Sequence, residues 1–256
     1  MSRYGITGSV VSLALLALTG CGTSSGGGDE GGDGGATPAA RDKGPACVGT
    51  APADGAHVLR GGGFKLPGGG GVQYAGADAD GTTRTATLRD GAKYASGQRE
   101  WTVEPGAEVT VSGHDYTVRQ ICSYRVVLEA KSADDKAALA AAPESLEPRQ
   151  GPADDGLCFT TDRTVLAAAA KGFPAEGNTL SLLDNGGVQR FPTGLSITVS
   201  YIDPAAGTAG VDANCAAIPV AGYKDVRVGE TVEFAGVLFE VSTLTEQAVQ
   251  LTRTSA

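Results

Sequence analysis

The segment VEPGAEVTVSGHDYTVRQICSYRVVLEA, beginning at Val103, has a partner 123 residues later, VRVGETVEFAGVLFEVSTLTEQAVQLTR, beginning at Val226. The two align without a gap. Seven positions are identical: Val103/Val226, Gly106/Gly229, Val109/Val232, Gly113/Gly236, Val118/Val241, Val126/Val249 and Leu128/Leu251. Three more pairs exchange like for like, namely Val111/Phe234, Tyr116/Phe239 and Ile121/Leu244. Unrelated windows of this length share about two identities at ordinary residue usage. A chain built this way is expected to fold as two copies of one module.

Within each copy the apolar residues alternate. Val109 and Val111 lie on one face, Gly113 marks a turn, and Tyr116 and Val118 resume the alternation. Period two on both sides of a tight turn predicts a β-hairpin. Both copies then break parity at the same place, from Val118 to Ile121 and from Val241 to Leu244. Such a slip sends the next apolar side chain to the wrong face unless the strand carries a bulge or bend. A third strand follows through Val126 and Leu128, and through Val249 and Leu251. This Gly-turn meander resembles those of many small barrels and sandwiches. The expected fold class is all-β: two tandem repeated small β-barrel or β-sandwich modules after a disordered tether.

Upstream the agreement is looser. Cys47 and Cys158 head the copies, followed by Val58-Leu59 and Val165-Leu166, then by Phe64 and Phe173. Further strands are expected at 72–74, 85–88, 179–183 and 195–202, with Asp80-Gly81, Asp90-Gly91 and Asn185-Gly186 as turns. On this alignment the second copy has an insertion from Asp203 to Lys224. Between the copies, Ser132 is placed to cap a short helix with Asp135 in its first turn, and Pro143 to end it. The expected organisation is a leader at 1–20, a tether at 21–46, modules at 47–130 and 158–256, and a helix with linker at 131–157.

The leader carries a single charge, Arg3, and an apolar run from Val10 to Leu18. A bilayer span needs about 20 apolar residues, so this run has the proportions of a cleaved export signal. Leu18-Thr19-Gly20-Cys21 resembles the lipobox of bacterial lipoproteins. The resemblance implies cleavage before Cys21, a lipid on its thiol, and display at the extracytoplasmic face of the cell membrane. Fatty acyl chains such as palmitate would then form the anchor, since two chains hold firmly where one exchanges. The Gly-, Ser- and acid-rich stretch from Gly22 to Ala46 has almost no apolar side chains to bury. As a Gly-rich coil it spans roughly 25 to 30 Å.

Four cysteines remain beyond Cys21, an even number in a chain bearing an export signal, which favours disulfides. The expected pairing is Cys47–Cys122 with Cys158–Cys215, one bond per module, with Cys47–Cys158 as the alternative tie between modules. The formal net charge is −9, and no segment is basic. Binding nucleic acid depends on Lys and Arg neutralising phosphates, so that partner is not expected.

Residues suited to chemistry are few. The two histidines are His57 and His114, both in the first copy. His114-Asp115 falls in the hairpin turn, where the second copy has Val237-Leu238, so the pair is not intrinsic to the module. His57 lies near Asp54, but no HxH, HExxH or CxxC spacing supports zinc. Neither phosphate-loop nor nucleophile-elbow spacing is met. No catalytic residue, metal or cofactor is assigned on these grounds. His57, His114, Asp115 and Trp101 are the candidate binding residues. The expected role is non-catalytic binding or scaffolding in the cell envelope, through the lipid anchor and toward an envelope protein or wall component. Regulation of a membrane sensor and hydrolysis of wall polymers are the alternatives.

Overall fold

The computed structural model describes residues 45–80, 82–141, 159–192 and 194–254. The leader, Cys21, the tether to residue 44, Pro143, the linker and Cys158 lie outside the described residues. The described residues belong to one compact unit.

The chain is all-β. Its first strands are β1 (Cys47–Gly49), β2 (Ala56–Leu59), β3 (Gly63–Lys65), β4 (Gly71–Asp80), β5 (Thr83–Asp90), β6 (Glu100–Val103), β7 (Glu108–Val111), β8 (His114–Cys122) and β9 (Arg125–Ala130). Two short helices follow, α1 (Ala133–Ala140) and α2 (Arg163–Ala169). The remaining strands are β10 (Thr179–Leu183), β11 (Gln189–Arg190), β12 (Leu195–Asp203), β13 (Thr208–Cys215), β14 (Ile218–Val226), β15 (Thr231–Phe234), β16 (Val237–Leu244) and β17 (Ala248–Arg253). They form four antiparallel sheets. One has the order β1-β8-β9-β2, with β7 also on β8, and another the order β3-β4-β5-β6. The other two run β10-β17-β16-β15 and β11-β12-β13-β14.

Each half is sandwich-like, because its two sheets turn apolar faces toward a shared core. Val58, Tyr116, Val118 and Leu128 from one sheet meet Phe64, Tyr74 and Leu88 from the other in the first core. Val232, Phe239, Val241 and Leu251 meet Ile197, Val211 and Tyr223 in the second. Hairpin pairing also recurs at the 123-residue spacing. Val109↔Tyr116 and Val111↔His114 in β7–β8 have Val232↔Phe239 and Phe234↔Val237 in β15–β16. The bulge expected from the parity break is present in both, between Val118 and Gln120 and between Val241 and Thr243.

Two upstream expectations are corrected. Val165-Leu166 is not the counterpart of Val58-Leu59, because it lies in α2 while Val58-Leu59 is strand β2. Asp162 accepts hydrogen bonds from the Thr164 and Val165 amides at 2.7 and 3.1 Å, and the Ala-rich run behind that cap favours helix. The strand matching β2 is β10: Val58 pairs with Val126 as Leu182 pairs with Val249. Nor is Asp203–Lys224 an insertion. It holds β13 and most of β14, and Ala209 pairs with Val226 as Ala86 pairs with Val103, both 123 residues earlier. The apparent insertion comes from matching Cys158 to Cys47, Val165 to Val58 and Phe173 to Phe64, at offsets of 111, 107 and 109 residues that fall short of 123.

Helix α1 forms as expected, with Ser132 accepting from the Asp135 amide at 3.0 Å. The two halves touch along the β2–β3 turn. The Arg60 carbonyl accepts from the Gly222 amide of the second half at 3.0 Å, while the Arg60 amide donates to the Tyr124 carbonyl of its own half at 2.9 Å. A Cβ on Gly62 would collide with the Val220 carbonyl oxygen, so the backbones approach as closely as only glycine allows.

Candidate ligand-binding cleft

Strand β2 alternates. Ala56 and Val58 enter the first core, while His57 and Leu59 face the second half, where Leu59 packs against that half's core. Strand β15 does the converse: Val232 and Phe234 enter the second core and Glu233 between them faces the first half. Arg125, at the start of β9, reaches between these two faces. One of its terminal nitrogens lies 2.9 Å from His57 Nδ1 and 3.3 Å from Glu233 Oε1, and the other donates to Gln120 Oε1 at 3.3 Å.

Glu233 is 1% exposed. Burial pushes its carboxyl above the usual carboxylate range, against the opposing pull of Arg125. Its Oε2 and the Arg125 Nε have no hydrogen-bond partner among the described residues. Burial moves His57 the other way: loss of solvation, then the Arg125 and Arg163 charges, lower it to about 4. The imidazole is therefore neutral near pH 7. With Nδ1 accepting from Arg125, its proton sits on Nε2, which is a donor. Tyr223 caps the β15 edge, since its hydroxyl donates to the Glu233 carbonyl at 3.0 Å and accepts from the Glu233 amide at 3.1 Å.

Two adjoining chambers open around these groups. The inner one, of about 80 Å³, is lined by Glu233, His57 and Thr160 among apolar side chains that include Phe64 and Leu195. The outer one, of about 440 Å³, is lined by Arg125, Arg163 and Thr161 against Leu166, Val237 and Leu238. His57, Leu166, Ala235 and Gly236 border both. Chemically the cleft offers an acceptor, a neutral donor and cationic groups on apolar walls.

His114 does not use Asp115. Its Nδ1 lies 2.7 Å from Asp135 Oδ1 of α1, while Asp115 accepts from the Thr110 hydroxyl at 2.6 Å across the hairpin. An Asp–His pair orients an imidazole, but nucleophilic catalysis also needs a hydroxyl or thiol on the other ring nitrogen. Among the described residues no hydrogen bond brings one there. Asp54 is drawn to Lys136 at 4.0 Å rather than to His57. Among the described residues no cluster of three or more His, Cys, Asp or Glu could hold a metal ion. Trp101 packs on the margin of the first core, with the Arg99 guanidinium 5.0 Å from its ring centre. Cys47 and Cys122 are disulfide-bonded, and they face each other in the β1–β8 register. Cys215 is also disulfide-bonded, and its expected partner Cys158 lies outside the described residues. No helix among the described residues is long and apolar enough to cross a membrane.

Of the expected binding residues, only His57 lies in this cleft. Arg125 and Glu233 were not anticipated, because charged residues on the alternate face of a strand read as solvent-facing. A signal was available in the gapless 123-residue alignment. Their mates at the 123-residue spacing are Ala248 and Thr110, so both charges stand where the aligned segment has none. No family model, curated protein or solved structure matches the chain.

Proposed function

We propose that the protein is a lipid-anchored, extracytoplasmic receptor that binds a small molecule in the cleft between its two halves without transforming it. The observation that carries this reading is the buried Glu233 carboxyl beside the inner chamber, with one oxygen unpartnered among the described residues and neutral His57 on the same wall. A buried polar atom without a partner costs stability, so its retention calls for an occupant that satisfies it. Pockets that bind small molecules combine apolar walls with a few convergent polar groups. The anchor rests on the Leu18-Thr19-Gly20-Cys21 motif and the glycine-rich tether after it. In this reading the modules at 47–130 and 158–256 are diverged copies, and the divergence at positions 125 and 233 made the cleft. The membrane is met through the lipid, and the bound ligand comes from the envelope or its surroundings.

Thermal denaturation of the full-length lipidated protein in detergent micelles, against a library of small metabolites, tests the proposal. Ligands should raise the midpoint of the wild type but not of Ala167→Trp, which fills the outer chamber from the exposed side of α2. A library giving no cleft-dependent shift would count against it. Cys21→Ala should release the protein from the membrane fraction.

A further inference from the structure

We propose that the ligand of this cleft is a small hydroxycarboxylate, lying with its carboxylate toward Arg163 and its distal hydroxyl toward Glu233. The inference rests on the binding role above and names the chemistry that would fill it.

Charge argues for the outer end. Among the described residues Arg125 and Arg163 line the outer chamber and no carboxylate does. Arg125 is engaged by His57, Glu233 and Gln120, whereas Arg163, exposed on the first turn of α2, makes no ion pair among the described residues. In a protein of formal charge −9 this mouth attracts an anion locally. A guanidinium presents paired donors that match a carboxylate.

Hydrogen bonding argues for the inner end. Glu233 Oε2 has no partner among the described residues and can take a donor, and His57, which lines the same chamber, has an Nε2–H that can take an acceptor. A hydroxyl is both at once. An ammonium group would also serve Oε2, but it would put a cation beside Arg125 and within apolar walls, at a larger desolvation cost. At about 80 Å³ the inner chamber has room for the end of a small molecule, a single water needing about 10–15 Å³ in the same measure. Between the two ends, Leu166 and the Ala235-Gly236 turn border both chambers and supply an apolar passage for a short aliphatic chain.

Calorimetric titration of the full-length lipidated protein with 4-hydroxybutyrate, 6-hydroxyhexanoate, hexanoate and 1,6-hexanediol decides the matter. At least one hydroxycarboxylate should bind about tenfold or more tightly than hexanoate and than the diol, since each end contributes a hydrogen-bonded contact. Arg163→Gln, a change at an exposed side chain, should weaken all three carboxylates about tenfold and leave the diol unchanged. Glu233→Gln should narrow the gap between hydroxycarboxylate and hexanoate, and far-ultraviolet circular dichroism would confirm that it folds. If it does not fold, the Arg163 variant still decides. A ligand from the metabolite library that is lost in Ala167→Trp yet indifferent to Arg163→Gln overturns the hydroxycarboxylate and leaves the binding role standing. Buried water alone in the inner chamber, with no cleft-dependent ligand of any kind, overturns both.

Discussion

His57 and Glu233 flank one guanidinium and respond to acid in opposite senses. The folded His57 titrates near 4 rather than at its ordinary 6.5, so acid protonates it first in the unfolded chain. Its contribution is fully present above pH 6.5 and is lost as the pH falls toward 4, in total about 3 kcal/mol. Glu233 is shifted upward, so its folded form takes up a proton at a higher pH than the unfolded chain does. That contribution is present in acid and is lost as the pH rises through the folded value. The two partly cancel below neutrality. Replacing one therefore uncovers the other. Urea denaturation at pH 7, 5.5 and 4 should show a steeper acid loss for Glu233→Gln than for the wild type, and a shallower one for His57→Gln. A His57→Gln protein whose stability follows the wild-type pH profile would refute the assignment.

At the scale of elements, the short edge strand β1 depends on its covalent tie. It is only Cys47–Gly49, and its first residue is bonded to Cys122 of β8 across a separation of 75 residues. Closing a loop of that length stabilises by about 4 kcal/mol in the chain-entropy model. The Cys47→Ala/Cys122→Ala double variant should lose close to that amount in denaturant titration, and β1 amides should exchange faster with solvent than those of β9. Helix α1 offers a smaller effect. Ser132→Ala removes the side-chain bond to the Asp135 amide and should cost about 1 kcal/mol. The cap was legible in the residues, as were the hairpins and their bulges, because each is local: a cap spacing, an alternation, a slip of parity; the disulfide was expected from the even number of cysteines beyond Cys21. What the residues hid was non-local. Helix α2 was hidden because Val165-Leu166 aligned with Val58-Leu59, which lies in a strand. Strands β13 and β14 look like an insertion because matching Cys158 to Cys47 and Phe173 to Phe64 sets offsets of 111 and 109 residues, which must grow to 123 before Val226. For the same reason His57 could be noticed in the sequence while its partners could not. Arg125 and Glu233 meet only when two sheets far apart in the chain pack face to face.

For the whole molecule, the question is whether the halves unfold together. They share more than a surface. The Cys122 and Tyr124 side chains of the first half sit in the second half's core, and Phe159, from beyond α1, sits in the first, 5.9 Å from Phe64 in an edge-on contact. The Arg60–Gly62 turn threads against β14 with no space for a side chain at Gly62. Such contacts couple two cores, because opening either one strands apolar side chains of the other in water. Trp101 gives a selective probe, being the single tryptophan and lying in β6 of the first half, whereas far-ultraviolet circular dichroism reports the strands of both. Coincident transitions are the signature of one cooperative unit. The wild-type curves should coincide in urea. Gly62→Ala forces a Cβ against the Val220 carbonyl, a backbone atom that cannot swing aside, and should cost about 1–3 kcal/mol. A larger side chain, as in Gly62→Val, should prise the turn from β14 and separate the two curves. Curves that already part in the wild type would mean that the halves fold alone, and the cleft between them would then be a loose contact rather than a preformed site.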